Sequence, residues 1–232
     1  MTPPAVLSSA GTTELERRLR ALTPPPPVLD RRREEQLTER QRQILDQLVT
    51  MFAGGFASLT MAEIAARASC SLRTLYGLAP SRDELVLVVV DRGLWRVGRS
   101  AIEAVDPDMD PLDAVAAYLK AAHAAVDGRS EAFARDLAAM PAAKRLADFH
   151  AGYVVAVARC LLELAVERGD IPAVDTAALA YALGGVARTL SQPDVMPTLR
   201  TTPRQAADEL VGIVLRGLRA GSSPGPPGDT SP

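Results

Sequence analysis

An all-α fold of about nine helices is what this chain of 232 residues predicts, and three observations carry the prediction. Only 4% of the residues are aromatic, and alanine fills many apolar positions, which suits closely packed helices better than a sandwich of strands. Apolar residues recur three and four apart through most of the chain between residues 38 and 219. The 16 glycines and 18 prolines fall largely between those stretches, as helix boundaries do. At 47% hydrophobic and 23% charged, the composition is that of a soluble globular protein with one large domain or two modest ones.

Residues 1–36 read as a disordered Pro- and Arg-rich tail. Pro24 to Pro27 are consecutive, a polyproline-II or coil linker, and a short helix at 14–22 has little to pack against. The first core helix covers 38–54, with Ile44, Leu48, Met51 and Phe52 on one face and Thr38 with Gln41 as a capping box. Two short helices follow at 61–68 and 72–78. A fourth starts after Ser81, with Glu84 completing a capping box, and runs to about residue 99. Its LVLVVV run has strand propensity, but the cap and the spacing of Val86, Val90, Leu94 and Val97 favour helix.

Past the acidic loop 106–111, Leu112, Val115, Ala116, Leu119 and Val126 stripe the next helix. A short helix at 130–139 precedes Pro141, well placed for a first turn. The longest helix, 142–168, is striped by Leu146, Phe149, Tyr153, Val157, Cys160, Leu161 and Leu164 and ends at Gly169. Helices at 175–190 and 203–219 complete the set, and 221–232 is a Gly, Ser and Pro tail expected to be disordered.

Several classes are disfavoured. No apolar run approaches the ~18 residues of a membrane span, the longest clean one being residues 85–90, so no membrane partner is expected. No apolar stretch follows a basic segment at the N-terminus, so no signal peptide is visible. Two cysteines make neither a disulfide framework nor a metal cluster; no metal or cofactor is expected, and a reducing cytoplasm is. Residues 14–99 hold 14 Arg against 11 Asp or Glu, whereas the rest holds 12 basic and 17 acidic residues. The positive half is N-terminal, a weak footprint for a polyanion partner.

The informative stretch is 60–79, TMAEIAARASCSLRTLYGLA. Thr60 and Glu63 form a capping box that starts a two-turn helix. Ala65 is small enough for a second helix to cross closely, 68–70 is a tight connector, and Ser71 caps the next helix. Leu75 is its inward residue, leaving Leu72, Arg73, Thr74 and Tyr76 outside. Two short helices joined so briefly cross steeply and present a narrow rod that fits a DNA major groove. Two amphipathic helices of a plain helical core satisfy the same pattern.

Residues 36–85 resemble the N-terminal domain of the tetracycline-repressor (TetR) family of bacterial transcription regulators. Phe52, Gly55, Phe56 and Thr60 match the family's Phe, Gly, aromatic and Thr, and Ile64 and Ala65 match its Ile-Ala pair. The recognition pattern S-x-x-T-L-Y stands at 71–76, and Arg82 and Leu85 follow in register. Gly77, Leu78 and Ala79 depart from the family's x-His-Phe, and Ser69 stands where a left-handed Gly is common.

This resemblance implies a three-helix DNA-binding domain over 37–97, with its motif at 60–79, and a regulatory and dimerisation domain over 98–220. It implies Leu72 and Arg73 on base edges, with Thr60, Ser71, Thr74, Tyr76 and Arg82 at phosphates or setting register. An Arg31–Arg33 arm or a solvated charge run are both compatible with the N-terminal Arg cluster. It further implies a homodimer on a pseudo-palindromic double-stranded DNA operator, paired through Ala180, Tyr181, Gly184 and Ala187 with Leu210, Val211, Val214 and Leu218. A small, largely apolar effector is expected among His123, Phe133, Met140, Phe149, His150 and Tyr153, acting through the fourth helix to release DNA. The expected function is thus a ligand-responsive repressor. A dimeric sensor or interaction protein with weakened operator binding is the alternative. An enzyme is disfavoured, because there is no glycine-rich phosphate loop, metal-ligand cluster or nucleophile elbow.

Overall fold

The structure, a computed structural model, describes residues 13–124, 128–192 and 194–221. Among them there are eleven α-helices and no strand: α1 Glu14–Ala21, α2 Arg31–Gln36, α3 Glu39–Phe52, α4 Met61–Arg67, α5 Leu72–Leu78, α6 Arg82–Glu103, α7 Pro111–Ala124, α8 Glu131–Ala139, α9 Pro141–Arg168, α10 Thr176–Leu190 and α11 Pro203–Gly221. Local signals set most boundaries. The Thr38–Gln41 and Thr60–Glu63 boxes both form in full. Ser81 caps α6 through Glu84 N–H. Gly169 closes α9 at φ 76°. The LVLVVV run is helical, inside α6.

Two apolar cores share α6. The first joins Ile44, Leu45, Leu48 and Phe52 of α3 to Ile64 of α4, Leu75 and Leu78 of α5, and Leu85, Val86 and Val88–Val90 of α6. The second joins Val97 and Ala101 of α6 to Leu112, Val115, Tyr118 and Leu119 of α7, Leu161, Leu162 and Leu164 of α9, Ala180 of α10 and Val211 of α11. At 22 residues α6 is ~33 Å long, enough to cross from one core into the other. By length and composition α9 could cross a membrane, but it lies at the centre of the second core, with α1, α6, α7, α8 and α10 packed around it.

Two helices exceed the nine expected, and both lie in the segment predicted to be a disordered tail. Leu15, Leu19 and Leu22 share the face of α1 that meets the second core, where Leu15 is only 2% exposed. Arg18 pairs with Glu167 at the far end of α9. The chain then crosses the molecule along Pro24–Pro27 and enters the first core at Leu29 and Leu37. On α2, Glu34 meets Arg92 of α6 at 3.0 Å, and Arg92 also holds Asp46 of α3 at 2.9 Å. The sequence does carry the leucine stripe of α1; what it does not reveal is the surface that receives it. Residues 1–12 and 222–232, and Val126 of the α7 stripe, lie outside the described residues.

Removing the Leu15 side chain empties a buried site, so Leu15→Ala should cost about 2–3 kcal/mol of unfolding free energy in urea titration. A tail without contacts would leave the midpoint unchanged.

Candidate nucleic-acid interface

The connector between α4 and α5 is made by local backbone bonds: Cys70 N–H donates to Ala65 O at 3.0 Å, and Ser69 N–H to Ala66 O at 3.2 Å. Ser69 adopts φ 49°, the left-handed conformation that favours glycine. Arg40 of α3 steadies the turn by donating to Ser69 O at 3.3 Å. Burial pushes the half-buried Cys70 thiol above its ordinary pKa, which disfavours the thiolate form.

Helix α5 has two unlike faces. Leu75 and Leu78 are fully buried in the first core, whereas Leu72 and Tyr76 are 43% and 52% exposed. Arg73 is exposed beside them and makes no hydrogen bond or ion pair among the described residues. Ser71 accepts from Thr74 N–H at 3.0 Å, and their hydroxyls lie 2.9 Å apart. The unusual Gly77-Leu78-Ala79 segment fills its space: Leu78 and Ala79 are buried, and a Cβ on Gly77 would meet nothing nearer than Gln41 Nε2 at 3.8 Å.

Two other predicted contacts are already engaged. The Thr60 hydroxyl donates to Glu63 Oε2 at 2.8 Å, and hydrogen bonds from the Thr60 backbone N–H and hydroxyl hold that carboxyl below its ordinary pKa. Arg82 turns inward onto the loop before α4. Its Nε donates to Leu59 O at 2.6 Å and its Nη2 to Phe56 O and Ala57 O at 2.6 and 2.8 Å, with Asp83 on Nη1 at 3.1 Å. Four of the five guanidinium donors are thereby used. In the Arg31–Arg33 cluster, Arg31 pairs with Glu35 and Arg33 donates to Leu78 O at the end of α5.

The loop that Arg82 holds is gripped from the other side by α8, which sequence reasoning assigned no such role. Asp136 Oδ2 accepts from Phe56 N–H at 2.5 Å and Ala57 N–H at 2.7 Å. Ser130 N–H donates to Ala53 O at 2.8 Å, and Phe133 meets Phe56 edge to face at 5.9 Å between centroids. Gly55 explains itself here: its φ is 109°, and a Cβ would lie 2.9 Å from Ala132 of α8. Asp136 stands 80 residues away from Phe56 with no motif around it, so nothing in the sequence signals the contact.

Residues 44–89 match the family model of bacterial regulatory proteins, tetR family. Over that segment the chain resembles the N-terminal domain of the TetR family. Its fold is shared by solved structures of TetR regulators from three sources. The one from Haloarcula marismortui ATCC 43049 is 19% identical, with a TM-score of 0.65, over 78% of this chain and 99% of that one. A tetR-family regulatory protein from Rhodococcus RHA1 is 22% identical, with a TM-score of 0.57, over 78% and 98%. The regulator PfmR from Thermus thermophilus is 19% identical, with a TM-score of 0.55, over 75% and 98%. Among curated proteins no sequence matches the chain.

The residues expected to line one effector pocket are dispersed. Phe133 and Met140 pack against the DNA-binding core. His123 is buried between α7 and α11, with Nδ1 2.8 Å from Asp208 Oδ1. His150 is buried against α6, with Nε2 3.0 Å from Asp91 Oδ1. Phe149 and Tyr153 alone share an open groove, of 710 Å³, across which Pro24–Pro26 lie. The physical reason is that apolar periodicity identifies inward positions without naming the partner.

The expected pairing stripe divides as well. Ala180, Ala187 and Val211 are buried within the chain, Gly184 abuts Val155, and Val214 and Leu218 pack against the second core. Tyr181 and Leu210 stay exposed and are joined by Ile213, which the sequence reading did not include.

Asp136→Ala removes a charged acceptor from two backbone donors, so it should lower stability by about 2–3 kcal/mol in denaturant titration. It should also loosen the first core, seen as faster hydrogen exchange in α4 and α5. Exchange confined to α8 would show that the loop does not depend on it.

Proposed function

We propose that the chain is a ligand-responsive repressor that binds a pseudo-palindromic DNA operator as a homodimer and releases it on binding a small, largely apolar effector. The observation that carries the DNA-binding part is the state of α5. Its inner face is completely buried and its first turn is capped, yet Leu72, Arg73 and Tyr76 stand together in solvent. Arg73 supplies an unengaged planar fork, the geometry that reads guanine O6 and N7, while Leu72 offers apolar contact to a thymine methyl. Ser71 and Thr74 flank them at the helix start, where hydroxyls and backbone N–H groups suit phosphate and fix register. Thr60 and Arg82 support the loop and α4 in this reading, rather than taking the phosphate roles that the resemblance implies for them. A sensor without operator binding has no comparable support, since the Gly77-Leu78-Ala79 departure leaves α5 capped and packed.

Pairing is assigned to the outer faces of α10 and α11. Tyr181 at 71% exposure on α10, and Ile213 at 57% with Leu210 on α11, are large apolar groups that a second copy would cover. A twofold pair presents two α5 helices, one for each half-site.

Two measurements check this reading. Fragments from upstream of the protein's own gene should be retained in a gel-shift assay with strong salt dependence, and Arg73→Ala should weaken the best site by about 10-fold or more. A folded dimer that retains no genomic fragment would sink the assignment. Ile213→Glu should convert the dimer to monomer in sedimentation velocity and abolish operator binding without unfolding the chain, because the side chain is already in water.

A further inference from the structure

The geometry points to the groove beneath Pro24–Pro26 as the binding site of an amphipathic carboxylic acid, with its apolar body between the prolines and the Phe149 and Tyr153 rings and its carboxylate on Arg145. The inference rests on reading the chain as a ligand-responsive regulator, and it gives that ligand a place and a chemical class.

Size and lining come first. The groove encloses 710 Å³, within the roughly 300–1,000 Å³ usual for small-molecule sites. On α9 its floor runs from Arg145 to Ala156, about 16 Å along the helix at ~1.5 Å per residue. Past Thr23 the strap wall is Pro24–Pro26, which has no N–H donors, so that stretch accepts hydrocarbon. Phe149 faces it 65% exposed, although every other phenylalanine in the chain is buried. A long apolar body laid in the groove would cover that ring.

Charge selects the head group. Four charged side chains stand at one end: Lys144, Arg145, Asp148 and Arg188. Asp148 is held by Lys144 at 2.7 Å and by Arg188 at 3.1 Å, and these partners keep its carboxyl ionised and below its ordinary pKa. Arg145 is exposed and has no partner among the described residues. The end therefore carries a net positive charge and one free guanidinium fork, which pairs with a carboxylate and repels an ammonium. The strap also leads straight to α6. Val28 N–H donates to Asp91 Oδ2 at 2.9 Å, and the other oxygen of Asp91 meets His150, the neighbour of Phe149. Prying the strap from α9 would pull on that bond.

The chain reports on itself, because its single tryptophan, Trp95, packs edge-on against His150 at 5.6 Å. The full chain is titrated with decanoate below its micellar concentration, following Trp95 emission and calorimetric heat. Saturable binding of one decanoate per chain is expected, with decanol about 10-fold weaker and decylamine showing none. Arg145→Gln should bring decanoate down to the level of decanol, and Phe149→Ser should weaken both by about 10-fold; both side chains are exposed, so both variants should fold. Absence of saturable binding, or equal decanoate affinity in wild type and Arg145→Gln, overturns the site. Retention of upstream DNA by the unliganded protein is scored separately: retained DNA without decanoate binding removes the groove and keeps the regulator, whereas decanoate binding without DNA retention does the reverse.

Discussion

The orientation of the recognition helix depends on one loop, 55–59, whose backbone polar groups are satisfied from two sides. Arg82 at the start of α6 takes the carbonyls of Phe56, Ala57 and Leu59, and Asp136 of α8 takes the N–H groups of Phe56 and Ala57. A loop has no ladder of its own, so these side chains do what regular structure does elsewhere. Charge-assisted bonds of this kind are short and strong, and losing one partner leaves the other half-buried and unpaired. The loop feeds directly into Thr60 and α4, against which α5 packs. Where α5 points is therefore fixed by two helices, one of which, α8, lies well beyond the helix-turn-helix segment in the sequence. The two apolar cores share α6, and this second, direct contact also joins α8 to the loop before α4.

The N-terminal strap adds a third connection, and its chemistry differs. It ends in leucines sunk into both cores and is held between them by polar bonds to α6 and to the end of α5. Asp91, buried at the middle of α6, is the pivot. A carboxylate in that position needs partners, and it finds one on the strap and one on α9. Breaking the strap bond thus leaves a buried acceptor on the helix that joins the two cores, so a disturbance at the strap is felt by α6 out of proportion to its size.

What could be read from the sequence is what depends on neighbours a few residues away. Capping boxes at Thr38 and Thr60, the left-handed turn at Ser69 and the glycine stop at Gly169 are settled by contacts within one turn, and all are present. The inward face of α5 is likewise fixed by Leu75 and Leu78. Choices between distant partners were not legible. Phe133, placed by its apolar character in an effector pocket, instead closes the DNA-binding core against Phe56, because α8 folds back over a glycine with no side chain to obstruct it. Arg82 has the charge for a phosphate, yet three carbonyls lie within its reach. Ala180 and Val211 were equally suited to a partner subunit or to the chain's own core, and only the packing of α10 and α11 on α7 and α9 decides for the latter.

The same packing gives meaning to the apolar groups it leaves outside. This chain buries Leu45, Leu48, Leu75 and Leu161 completely, and each such side chain contributes about 1.5–3 kcal/mol by leaving water. Leaving a comparable residue exposed forgoes that stabilisation, which is ordinary for one scattered side chain and informative for several together. Apart from Val28 and Met196, the large apolar residues exposed among those described fall in three places: Leu72 and Tyr76 share α5, Phe149 stands in the strap groove, and Tyr181, Leu210 and Ile213 lie on α10 and α11. These are three separate surfaces, facing DNA, ligand and a second subunit in the function proposed above. On α5, α10 and α11 the inward helix face is already filled, so the exposed groups there are not remnants of an incomplete core. They are surface the fold had the means to bury and did not, and recognition of another molecule is the physical use such surface has.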